Sequence, residues 1–184
     1  IIRTIQRGQG KVDFGVIPGR LVSVISKTLT FQPVFRFRFW PSLFHAFVGW
    51  AFIFYVLVNL GDVLEAFLPN FEFLGTESIG DIYRLIADVL SVAALSGMVA
   101  LIIRRFILKP STLTTRKDVL LSPKARAGIL RDSAIVSAFI LIHVGARFVG
   151  QSFEIASTEP DPWQPFATTL SNLWANLPPA IVEI

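Results

Sequence analysis

His45 and His143 are the only two histidines in a chain of 184 residues, and each lies inside a long apolar stretch. An ionisable side chain at membrane depth is costly and is by default a candidate for function. A neutral imidazole is a common axial ligand of b-type haem, and helical bundles build such sites from facing side chains. The structural alternative is a hydrogen bond from each ring to a neighbouring helix. His143 also has polar company. In LIHVGARFVGQSFE, residues 141–154, His143, Arg147, Gln151 and Glu154 recur at helical spacing and so share one face. Such a face points into a bundle, toward other polar helix faces, a cofactor or a quinone.

Depth tests whether one iron could take both rings. His45 stands about 6 residues into its apolar segment, roughly 9 Å from the basic edge, and His143 about 10 residues into its own, roughly 15 Å. The mismatch of about one turn weighs against a shared iron and makes a second ligand from outside these segments an equal alternative. Arg147 has a clearer expected partner. Asp88 and Arg147 fall at similar depth below the opposite edge, and a lone buried charge is costly unless paired. The spacing therefore predicts an Asp88–Arg147 ion pair, with Arg84 one turn from Asp88 also available. Functionally, Arg147 could instead hold a haem propionate or a quinone carbonyl. Glu154, at the end of the polar face, reads as a solvated helix end or a proton-exchange group.

The elements that position these residues are membrane spans. The chain is 53% hydrophobic and 16% charged, with a mean hydropathy of +0.61, beyond the range of most soluble domains. Residues 39–61 carry no formal charge until Asp62 and are long enough to cross a bilayer. A second span centres on 89–103, extended through Asp88 and Tyr83 at one end and to Leu108 at the other. A third covers 133–153. Ala93 and Gly97 form a small-xxx-small pair suited to close helix approach. The expected fold class is all-α: a polytopic membrane protein of three transmembrane helices plus two amphipathic interfacial helices. Residues 18–31 supply one of these, with Leu21, Val24, Ile25 and Leu29 on a stripe. Residues 166–177 supply the other, with Phe166, Leu170, Leu173, Trp174 and Leu177.

Charge then orients the spans. Residues 1–38 hold seven Lys or Arg and one acid, and residues 104–132 hold eight against two. Residues 61–82 hold five acids and no base, and the tail after residue 150 holds four acids and no base. Basic connections stay on the cytoplasmic side. The expected organisation is a cytoplasmic N-terminal segment at 1–38, a transmembrane domain at 39–154 and an extracytoplasmic tail at 155–184, in the cytoplasmic membrane. The chain has no cysteine, which excludes disulfides, thiolate chemistry and cysteine-ligated iron–sulfur clusters within it. No phosphate-binding glycine loop, zinc motif or nucleophile–base constellation is present, and nothing points to nucleic acid. Ile1 is not a usual start, so the sequence reads as part of a longer chain.

The order of RGQGKVDFGVIPGRLVSVISKTLTFQPVFR, PSLFHAFVGWAFIFYVLV, SGMVALIIRRFILKP and the acid-tipped third segment resembles the membrane domain of the respiratory nitrate reductase gamma-subunit-like family. The version it resembles is the one fused to iron–sulfur domains in electron-transfer-flavoprotein:menaquinone oxidoreductases and heterodisulfide-reductase-like proteins. The resemblance covers roughly residues 7–177. It implies a cytochrome b-like anchor, part of a quinone-linked oxidoreductase, passing electrons between a redox partner and the quinone pool. His45 matches the histidine at the start of the family's first long helix, which implies a haem b ligand. A second reading from the residues alone is a non-catalytic accessory subunit of a larger respiratory or photosynthetic membrane complex. A third is a small transporter half with a proton path through the buried charges.

Overall fold

The structure, a computed structural model, describes residues 14–69, 71, 73–75, 77–115 and 118–174. The chain divides into two units, Ile1–Phe39 and Trp40–Ile184. In the first, a single 3-10 turn leads into α1 (Ile17–Thr30), which has proline in its first turn and no buried residue. Pro18 suits that place because its missing N–H would have no partner there. Leu21, Val24, Ile25 and Leu29 are all exposed on α1. The helix stops at Phe31, whose φ of 50° puts it in the left-handed region, and a single turn α2 (Gln32–Phe35) follows.

The second unit is built on three long antiparallel helices. They are α3 (Phe39–Phe67), α4 (Ser78–Ile102) and α5 (Pro123–Ser157). All three are long and apolar enough to cross a membrane, and no strand occurs among the described residues. The chain is an all-α, multi-pass membrane protein. The close approach of α3 and α4 is made by small residues. Ala46, Ala51 and Ala94 are almost fully buried. A Cβ on Gly97 would stand 2.9 Å from the Phe44 carbonyl oxygen and 3.3 Å from the Phe47 Cβ. Small side chains let backbones approach where apolar burial gives no advantage over lipid. The Tyr55 hydroxyl donates to Ser91 Oγ at 2.8 Å, while Ser91 donates to the Ala87 carbonyl at 2.6 Å. A polar bond thus ties α3 to α4 in the core.

The ends of the helices depart from the sequence reading. α3 continues six residues past the expected end at 61, because Gly61 is a packing glycine: its missing side chain makes room for the Phe73 ring. Gly80, near the start of α4, lies so close under the Gly75 carbonyl that any Cβ would collide with it. At its other end α4 passes into a π-helical turn, Ile103–Leu108, in which Lys109 N–H reaches back to Arg104 O at 3.1 Å. Lys109 is left-handed and Pro110 follows, so the helix cannot continue. α5 begins ten residues earlier than the expected 133. Ser122 Oγ accepts from Ala125 N–H at 3.2 Å, and Pro123 occupies the first turn, a strong start signal.

The tail helix, α6 (Pro165–Ser171), is docked on α4 and α5 of its own chain. Ala167 has no exposed surface. The Trp174 indole stacks on Phe153 at 4.6 Å and its Nε1–H donates to Ser152 Oγ at 2.9 Å. The helix stops at Ser171, short of the expected 177, and residues 172–174 are turns; residues 175–177 lie outside the described residues.

Candidate functional site

Three cavities follow one another along the bundle. The first, about 600 Å³, is lined by His45, Arg105, Phe106, Asp132 and Ser133. Arg105, Phe106 and Asp132 come from the basic connection 104–132, so this is the basic end. The second, about 380 Å³, is nearly all apolar and holds Tyr55, Asn59, Phe139 and His143. The third, about 370 Å³, is polar and gathers Asp62, Glu65, Arg84, Arg147, Gln151 and Glu154 at the acidic end. The first two share Val48, Phe52, Val136 and Ile140 and form one lane between α3 and α5.

The polar face of α5 therefore meets a different neighbour at each turn. His143 stacks on Phe139 of its own helix, centroids 5.8 Å apart, and presents an edge to Tyr55 at 6.1 Å. Arg147, one turn on, makes a two-pronged ion pair with Asp62 of α3. Its Nε donates to Oδ2 at 3.1 Å and its NH2 to Oδ1 at 2.9 Å. Its guanidinium also stands 6.0 Å over the Tyr55 ring. Gln151 donates to Glu154 at 2.9 Å.

The expected Asp88–Arg147 pair does not form. Asp88 is buried and accepts from two backbone amides, Phe166 at 2.8 Å and Ala167 at 3.0 Å. It caps the start of α6, where free N–H groups seek an acceptor. Arg84 turns away as well, to Asp81 and to Asp161, the latter at 2.9 Å. Depth matched Asp88 to Arg147, but their directions around the helix axes differ. In sequence Asp62 falls just past the apolar segment 39–61, with the acidic connection 61–82, and so does not stand out as a partner for Arg147. The available signal was Tyr55, Asn59 and Asp62 recurring at helical spacing beyond that boundary.

The histidines are farther apart than the sequence suggests. His143 is level with Tyr55, and Tyr55 lies ten residues beyond His45 on α3, about 15 Å along the axis. Two imidazoles on opposite sides of one iron are a few ångströms apart, so a haem held by both rings of this chain does not fit. Each ring taken singly keeps ligating capacity. His45 Nδ1 donates to the Pro41 carbonyl at 2.7 Å, which fixes the ring and leaves Nε2 uncommitted, the usual support for an imidazole ligand. His143 and Asn59 hydrogen-bond no described residue. Neither histidine, then, uses its ring to bond one helix to another. Among the described residues no group of three His, Cys, Asp or Glu is placed to hold a metal.

Outside the spans, Asp161 is the hub of the segment after α5. It accepts from Gln164 Nε2 at 3.0 Å, Trp163 N–H at 2.8 Å and Arg84 Nε at 2.9 Å. Burial pushes its carboxyl up, but the Gln164 and Trp163 bonds and the Arg84 charge outweigh burial and hold it below the usual carboxylate value. A carboxylate with a depressed folded value stabilises above its unfolded value, about 3.9, and loses that contribution as pH falls through the folded value. Protection of 158–174 from proteolysis is therefore expected to fall in acid below about pH 4. The Asp161→Asn variant should lose this pH dependence. An unchanged acid profile in that variant would assign it elsewhere.

Comparison of the chain with family models, with curated proteins and with solved structures finds no match.

Proposed function

We propose that the chain is a membrane-anchoring, cytochrome b-like subunit that passes electrons between a redox partner and the quinone pool, within a quinone-linked oxidoreductase of the cytoplasmic membrane. The carrying observation is the second cavity. At mid-bundle, His143 and Asn59 offer unused hydrogen-bonding groups to an otherwise apolar space of about 380 Å³, with Phe139 and Tyr55 beside the imidazole. A quinone ring asks for flat apolar walls and one or two polar groups for its carbonyls. The basic end faces the cytoplasm in this reading and the acidic end faces outward. Haem b, which supplies one-electron chemistry when bound, would be held by His45, whose Nδ1 bond to the Pro41 carbonyl fixes the ring.

A second reading, the non-catalytic accessory subunit, has its own support. Only 6% of the apolar window of α5 is buried within the chain, although α5 carries the polar face. That exposure suits a helix whose other side is covered by partner subunits.

The test is a reduced-minus-oxidised absorption spectrum of the intact complex, with pyridine extraction of haem and solvent extraction of quinone. Co-purified quinone that drops about tenfold in His143→Leu or Asn59→Leu supports the first reading, since a lost hydrogen bond to a quinone carbonyl is worth about that much. An intact complex with neither haem nor quinone would sink it and leave the accessory role.

A further inference from the structure

The cavity at the basic end has a different chemistry from the one at mid-bundle. Arg105, on the π-helical turn, lies in its wall. Its Nε is shut off from solvent and has no acceptor among the described residues. Among the described residues its guanidinium makes one bond, a long one, 3.5 Å from NH2 to the Ile129 carbonyl. A guanidinium has five N–H donors in a planar fork, so this cation is under-satisfied where it stands. An unmatched guanidinium in a low-dielectric wall is costly, and its planar fork matches a carboxylate or a phosphate.

The rest of the cavity selects the kind of anion. Its other wall residues include Val48, Phe52, Met98 and Leu101, too apolar for a free ion. The one carboxylate in the lining, Asp132, is exposed and engaged by Arg131 at 3.5 Å, so it sits at the rim. The connection 104–132 that borders this end carries eight basic residues against two acids.

We infer that the basic-end cavity binds an anionic phospholipid, its phosphate on Arg105 and its acyl chains against Val48, Phe52, Met98 and Leu101, short of the cavity that holds His143. A polar head at the membrane boundary and acyl chains at bilayer depth match how the two ends of the cavity are lined. The inference does not depend on the quinone reading.

The test uses the full-length protein, in its complex, partly stripped of lipid in mild detergent. Native mass spectrometry then follows retention of added phosphatidylglycerol against phosphatidylcholine. The wild type is expected to retain one phosphatidylglycerol in preference, and Arg105→Gln to lose that preference about tenfold. Arg131→Gln, at the exposed rim, should keep it. Should Arg105→Gln fail to fold, Val136→Trp fills the cavity with the guanidinium intact and should lower retention of the lipid. Equal retention of both lipids by the wild type, or full preference in Arg105→Gln, overturns the inference. So does displacement of the lipid by millimolar inorganic phosphate, which would mark a soluble-phosphate site. A haem whose spectrum shifts in Arg105→Gln would assign the cavity to that group and overturn it equally.

Discussion

Replacing Asp88 with alanine is expected to detach α6 from the bundle, at a cost of about 2–4 kcal/mol. Asp88 is 3% exposed, and both its carboxylate oxygens are used on the amides of Phe166 and Ala167. Alanine leaves those two N–H groups facing apolar side chains with no acceptor, so the desolvation penalty is not recovered. Asp88→Asn should fall between, because a carboxamide oxygen accepts one amide while its NH2 opposes the other. Amide hydrogen exchange at Phe166 and Ala167 checks this directly. Wild-type protection of both amides in Asp88→Ala would mean that α6 is held by Trp174 and the apolar contacts alone.

Widening Gly97 to leucine is the second large effect. The first atom of that side chain would already stand 2.9 Å from a backbone oxygen on α3, and a backbone cannot rotate away as a side chain can. The helices must part, which breaks the Tyr55–Ser91 bond and opens the packing around Ala51 and Ala94. Overpacking of this kind costs about 1–3 kcal/mol, occasionally more. Gly150→Leu is the control, since nothing lies within 4 Å of where its side chain would begin and leucine favours helix over glycine. Unfolding by denaturing detergent, followed by tryptophan fluorescence, should show Gly97→Leu unfolding early and Gly150→Leu at or above the wild type. Equal stability of the two variants would remove Gly97 from the crossing.

The sequence carried the three spans and their alternation because lipid imposes a length and a polarity on each, and loop charge labels the ends. Residues of 61–82 meet residues of the tail in one cavity, and His45 meets the basic connection in another, as that alternation requires. Partner choice was not legible. Depth along an axis follows from residue number, but direction around it follows from how helices roll against each other. Asp88 and Arg147 illustrate this, being of similar depth and bonded to different elements. Helix ends were misplaced for the same reason at Gly61. A glycine before an acidic residue reads as a stop in sequence, whereas in the fold it accommodates Phe73. The basic connection 104–132 reads in sequence as topological charge, with anionic lipid heads or an acidic cytoplasmic partner as alternatives, and nothing local singles out Arg105 as a guanidinium in a cavity wall rather than in water.

The length of α5 has a consequence for the bilayer that can host it. Asp132 and Glu154 are 154 − 132 = 22 residues apart, about 33 Å at 1.5 Å per residue, against a hydrocarbon thickness of about 30 Å. Between them the ionisable groups are His143 and Arg147 alone, one beside Tyr55 and the other neutralised by Asp62. The two outer carboxylates act as stops on a ruler. A modest tilt brings both to the interfaces of an ordinary membrane, whereas a markedly thicker one would draw one of them into hydrocarbon. The helix thereby sets a preference for membrane thickness, and a means of sorting between membranes, that is independent of anything the cavities bind.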